Sequence, residues 1–227
     1  YESSERVIQV PVALINSLGT VMLPRISNLI AQNEKRESEK YLEKSLIIAV
    51  FLASAIGFGI MGVSKEFVPL FYGRGFEKCI RIFQILLPSC IFLAFANVIR
   101  TQYLIPNKMD KEYTISIFLG AGVNFVINLL LIPRWGAIGA SLGTLFAEAA
   151  VCIAQCYFVR GNIELKKYIF MTIPFVVTGY IMFVLIYNTE INNISIWGLM
   201  IIKIFEGAGI YLTLIYFFIR LKRRLSS

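Results

Sequence analysis

The chain has 227 residues, 57% hydrophobic and 16% charged, with a mean hydropathy of +0.71. Soluble domains carry about 25% charged residues, so the composition excludes a water-covered globule and marks an integral membrane protein. The net charge of +8 fits Lys and Arg gathered in loops that face anionic lipid rather than nucleic acid, and the absence of histidine excludes His-based triads, HExxH metal sites and imidazole relays.

Crossing a bilayer as a helix takes about 20 apolar residues, and seven stretches qualify. The first covers residues 6–31 and is free of charge from 7 to 24. Glu2, Arg6, Gln9, Asn16 and Thr20, with the small Ala13 between, recur at helical steps of three and four, so one face is polar. That stripe is expected to face a wet cavity while the apolar side meets lipid or other helices. Pro11 should bend the helix, and Arg25 reads as a snorkelling interface residue. Residues 32–44 alternate acid and base and can continue as a solvated helix.

The second span is 45–64, with Gly57, Gly59 and Gly62 permitting close contacts. Residues 65–78 read as a re-entrant or interfacial piece. Pro69, Gly73 and Gly75 break it, and Phe67, Phe71, Tyr72 and Phe76 suit the headgroup level. The third span is 79–105, with Pro88 inside and Asn97, Arg100 and Gln102 toward its end. The fourth is 113–132, with Asn124 and Asn128 one turn apart. After a short turn at 133–136, the fifth covers 137–160. Gly139, Gly143 and Ala147 form a small-residue face there, and Glu148 lies near the middle. The sixth is 167–189 and the seventh 195–220, which carries Lys203 and Glu206. Cys152 and Cys156, one turn apart in an apolar run, read as packing residues; no disulfide framework, metal site or cofactor site is expected.

The fold class is therefore all-α: one polytopic helical domain of about seven spans. Basic residues at 35–44, 108–111, 160–167 and 220–224 favour one side, which places the C-terminus in the cytoplasm; only the basic residues of 65–81 oppose this. The chain starts at Tyr1 directly before a span, so a fragment is expected, with a portion missing on the N-terminal side.

The stretch 124–144 joins two helices through Asn124 and Asn128, then Ile132-Pro133-Arg134, then Gly136, Gly139 and Ala140. It resembles the polysaccharide exporters of the multidrug/oligosaccharidyl-lipid/polysaccharide flippase superfamily. Residues 21–27, around Pro24-Arg25-Ile26-Ser27, and 71–76, Phe71-Tyr72-Gly73-Arg74-Gly75-Phe76, are similar to two further segments of that family, in family order. The resemblance implies the C-terminal lobe of a two-lobed helical bundle in the bacterial plasma membrane, with the N-terminal lobe absent. It implies a flippase that moves a polyprenyl-pyrophosphate-linked glycan between leaflets by alternating access. Polysaccharide polymerase or other assembly proteins would be its partners, beside membrane lipid.

Such a substrate needs a polar, preferably cationic, route for its head. Arg6 is the first candidate for phosphate contact, with Gln9, Asn16 and Thr20 as hydrogen-bond partners for sugar hydroxyls and Arg100 as a second cation. Asn124 and Asn128 read as helix-packing residues. Glu148 is a candidate for carrying a coupling proton or for a structural pairing. Lys203 and Glu206, three apart, are expected to neutralise each other, or else to mark the lobe surface that opens for lipid. The alternatives are an ion-coupled multidrug antiporter of the same superfamily and a membrane polysaccharide polymerase or scaffold. An enzyme is not expected, because the loops are short, Asp110 is the single aspartate and no Asp-x-Asp occurs.

Overall fold

The structure, a computed structural model, describes residues 2–73, 75–191 and 193–225. Arg74 and the side chains of Glu2, Lys222, Arg223 and Arg224 lie outside the described residues. Every regular element described is helical. Helices α1 (Glu2–Ala31) and α2 (Lys35–Gly62) are followed by the short α3 (Ser64–Phe71), then α4 (Lys78–Leu86) and α5 (Ser89–Ile99). A π-helical turn, Arg100–Leu104, extends α5; α6 (Asp110–Trp135), α7 (Ala137–Val159), α8 (Leu165–Asn188) and α9 (Ile196–Leu225) complete the chain. The described residues form 7 segments long and apolar enough to cross a membrane, with α4, α5 and the π turn making up one of them.

The seven stretches are as expected from hydropathy, but their boundaries differ. The charged segment before the second span is helical from Lys35 and continuous with α2, with Lys40 paired to Glu37 at 2.7 Å. The fourth span runs through Pro133 to Trp135. The corner falls at Gly136, whose φ of +53° suits a residue without Cβ. The third span is broken in two places. Pro88 has no N–H to donate, so α4 stops before it, and Ser89 Oγ donates to the Leu86 carbonyl at 2.6 Å. Further on, the Ile105 N–H donates to the Arg100 carbonyl at 3.0 Å, five residues back, which places one extra residue in that turn.

Helix α2 is the centre of the bundle, packed on α1, α5, α8 and α9. Leu42, Leu46, Ala49, Val50 and Ala53 recur at helical steps along it and are fully buried. The most extensive helix pair is α6 with α7. Lipid gives no hydrophobic drive for such pairing, so close approach of the backbones must supply it. Gly139 and Gly143 allow that approach: a Cβ on Gly139 would stand 2.5 Å from the Leu131 carbonyl oxygen. Phe118, Phe125, Phe170 and Phe205 on α6, α8 and α9 point outward and are largely exposed, as lipid-facing side chains are. Tyr211 of α9 is buried and donates to the Phe51 carbonyl of α2 at 3.0 Å. Tyr211→Phe should therefore cost about 1 kcal/mol, measured as a modest fall in melting temperature in detergent.

Candidate functional site

On α1, the buried residues Ile8, Pro11, Ile15 and Gly19 form the edge that packs on α2 and α5. Gln9, Asn16 and Thr20 each lie one position further on, about 100° around the helix. The polar stripe therefore runs along the margin of the packed edge. Arg6, Gln9, Asn16 and Thr20 are all exposed on the folded chain.

At Asn16 this margin opens into a cleft of about 300 Å³, walled by α1, α5, the π turn, α6 and α7. Asn16, Asn97, Arg100, Tyr113, Glu148 and Gln155 supply its polar lining. Asn97 donates through Nδ2 to Asn16 Oδ1. Its other amide atom, Oδ1, is packed against Gly19, where any Cβ would collide with it. Thr101 Oγ1 donates to the Asn97 carbonyl at 2.7 Å, and Gln155 Nε2 donates to Ser116 Oγ at 3.2 Å. The Arg100 guanidinium stands 5.9 Å from the centre of the Tyr113 ring, and Glu148 lines the same cleft. Asn97 Oδ1, Arg100 Nε and Gln155 Oε1 are buried without a hydrogen-bond partner among the described residues.

The fold thus gathers Asn16, Arg100 and Glu148, which are far apart in sequence. It does not bring Arg6, Gln9 or Thr20 to the cleft. The Thr20 hydroxyl donates to the Asn16 carbonyl at 3.0 Å within α1. Arg6 lies near Tyr72 at the α3 end; burial raises the pKa of the Tyr72 phenol and the Arg6 charge opposes that shift. Arg100 is half-buried and lines the cleft instead of reaching only for the adjacent loop. Tyr113 and Gln155 were not singled out from sequence. Gln155 does follow Glu148 by seven residues, a spacing that returns to the same helix face.

Lys203 and Glu206 do not pair with each other. The Lys203 side chain is 1% exposed and meets Glu66 of α3 at 2.7 Å, while Glu206 accepts from Thr189 Oγ1 at 3.2 Å. The pull of a buried partner on a facing helix replaces the i,i+3 pairing that proximity in sequence suggested. Asn128 donates to Asn124 at 2.8 Å and lies over Gly143, so this pair serves the α6–α7 contact. Among the described residues, no group of three His, Cys, Asp or Glu side chains could hold a metal ion.

Residues 1–206 match the family profile described as lipid II flippase MurJ. The chain belongs to that family. Among its relatives, the capsular polysaccharide biosynthesis protein CapF of Staphylococcus aureus is 24% identical over 145 residues, covering 64% of this chain and 36% of CapF. The probable low-salt glycan biosynthesis flippase Agl15 of Haloferax volcanii is 22% identical over 169 residues, 73% of this chain and 35% of Agl15. The probable lipid II flippase MurJ of Rickettsia prowazekii is 25% identical over 154 residues, 63% of this chain and 30% of that protein. The fold is that of the solved lipid II flippase MurJ in an inward closed conformation, with a TM-score of 0.78 at 21% identity, covering 96% of this chain and 46% of that one. The chain spans about a third of the length of these sequence relatives.

Proposed function

We propose that the chain works as one lobe of a flippase that carries a lipid-linked oligosaccharide across the plasma membrane for surface polysaccharide assembly. The observation that supports this most is the polar margin of α1 leading into the Asn16–Arg100–Glu148 cleft, set in an otherwise apolar bundle. Ionisable side chains at such depth are costly, about 2.5–3.5 kcal/mol each on insertion scales, and are retained for a task.

In this reading the glycan head travels along the exposed stripe of α1, with Arg6 meeting phosphate at the α3 end and Asn16 offering hydrogen bonds further in. The other lobe would close the open side of the stripe. A largely apolar groove of about 530 Å³ between α2, α8 and α9 offers the polyprenyl tail a place outside the polar route. Glu148 serves as counter-ion to Arg100. The basic connections near residues 35–44, 108–111 and 160–167 face the cytoplasm together with the C-terminus.

The test is a cysteine scan at positions 6, 9, 16 and 20 of the full-length protein in membranes. Water-soluble thiol reagents are expected to label these positions; labelling of none of them would end the cavity reading. Arg6→Ala should reduce polysaccharide export several-fold at normal membrane levels, with part of the activity kept in Arg6→Lys. Wild-type export by Arg6→Ala would remove Arg6 from substrate contact.

A further inference from the structure

We infer that the cleft beside Asn16 is a subsite for one neutral sugar ring of the transported head, and not for its phosphate. The inference rests on the flippase reading above. Three observations carry it.

The first is charge. Arg100 and Glu148 line the same small cleft, so its formal charges cancel. A phosphate seated against Arg100 would also confront the Glu148 carboxylate, at a depth where water screens little. A sugar hydroxyl is neutral and gains from both groups, donating to the carboxylate and accepting from the guanidinium.

The second is hydrogen-bonding capacity. Amide and phenol groups at Asn16, Asn97, Gln155 and Tyr113 supply donors and acceptors in similar measure. Gln155 Oε1 is an acceptor, and Arg100 Nε a donor, that the described residues leave without partners on two residues lining the cleft. Gln155 is 2% exposed. Buried polar groups are rarely left unpaired, and a vicinal diol supplies both kinds of partner. Leu93, Ala96, Ile117 and Val151 add an apolar surface suited to the C–H face of a ring.

The third is size and place. About 300 Å³ lies at the lower end of small-molecule sites, room for a single ring with a few ordered waters. The cleft opens at Asn16, which is itself a member of the exposed α1 stripe, so a head moving along the stripe can set one ring into it without leaving its route.

The experiment compares two lipids on the full-length protein in detergent by native mass spectrometry. One is a short-chain polyprenyl pyrophosphate; the other is the same lipid bearing one neutral N-acetylhexosamine. Gln155→Met and Glu148→Gln both keep side-chain volume. Each is expected to weaken binding of the glycosylated lipid about three- to tenfold, the range for one lost hydrogen bond, and to leave the sugar-free lipid bound as in wild type. The sign for Glu148→Gln decides the matter, because removing a carboxylate from a phosphate site would tighten the sugar-free lipid. Such tightening, or equal loss on both lipids in either variant, would overturn the subsite while leaving the flippase reading in place. Failure of the wild-type protein to bind either lipid would overturn both.

Discussion

Lys203→Ala is expected to destabilise the protein by about 3–5 kcal/mol, the cost of stranding one member of a buried ion pair. The substitution would show as a large fall in melting temperature in detergent. Lys203 and Glu66 side chains are 1% and 7% exposed and their charged atoms are 2.7 Å apart. The ammonium is the hydrogen-bond partner of Glu66 Oε1, and Oε2 has none among the described residues. Without Lys203 the carboxylate is left uncompensated beside the apolar groove. The double substitution Lys203→Met with Glu66→Leu should recover most of the loss, because burying neither charge avoids both desolvation costs. A wild-type melting temperature for Lys203→Ala would show that the pair does not hold α9 to α3.

Gly139→Ala is expected to cost about 1–3 kcal/mol, despite the gain of roughly 1 kcal/mol that alanine brings to an open helix position. The added Cβ would lie 2.5 Å from the Leu131 carbonyl oxygen and 2.8 Å from the Ile132 nitrogen. These are backbone atoms of α6 and cannot rotate aside, so the two helices must separate. Gly122→Ala is the control, since nothing lies within 4 Å of its Cβ position, and it should raise the melting temperature slightly. Equal shifts in the two variants would contradict the close α6–α7 contact.

Much of this architecture was legible in the sequence because membrane spans announce themselves by length and hydropathy. The small-residue face of Gly139, Gly143 and Ala147 likewise foretold a close helix contact, since it sits at a local, periodic spacing, but it did not say that α6 would be the partner. The partners of polar residues were harder to foresee. Lys203 has an acid three residues away on its own helix, yet it pairs with Glu66, 137 positions distant. No local pattern encodes that choice, which follows from how α3 folds back beneath α9. Asn16 and Arg100 were singled out as polar residues in apolar spans, whereas their meeting with Glu148, Tyr113 and Gln155 depends on the packing of five elements. The interruption of the third span at Pro88 has a chemical cause visible in the sequence, but the π turn beyond it has none.

That turn acts as a phase shifter. An α-helix advances about 100° per residue, and the extra residue held between Arg100 and Leu104 offsets the faces of the span before and after it by one such step. Arg100 precedes the extra residue and keeps the register of α5, so removing one residue after it would restore regular winding and turn the chain leading to α6 by one step relative to α5. At this point it is the count of residues in the chain, more than their identity, that sets the direction in which the chain leaves α5 for α6.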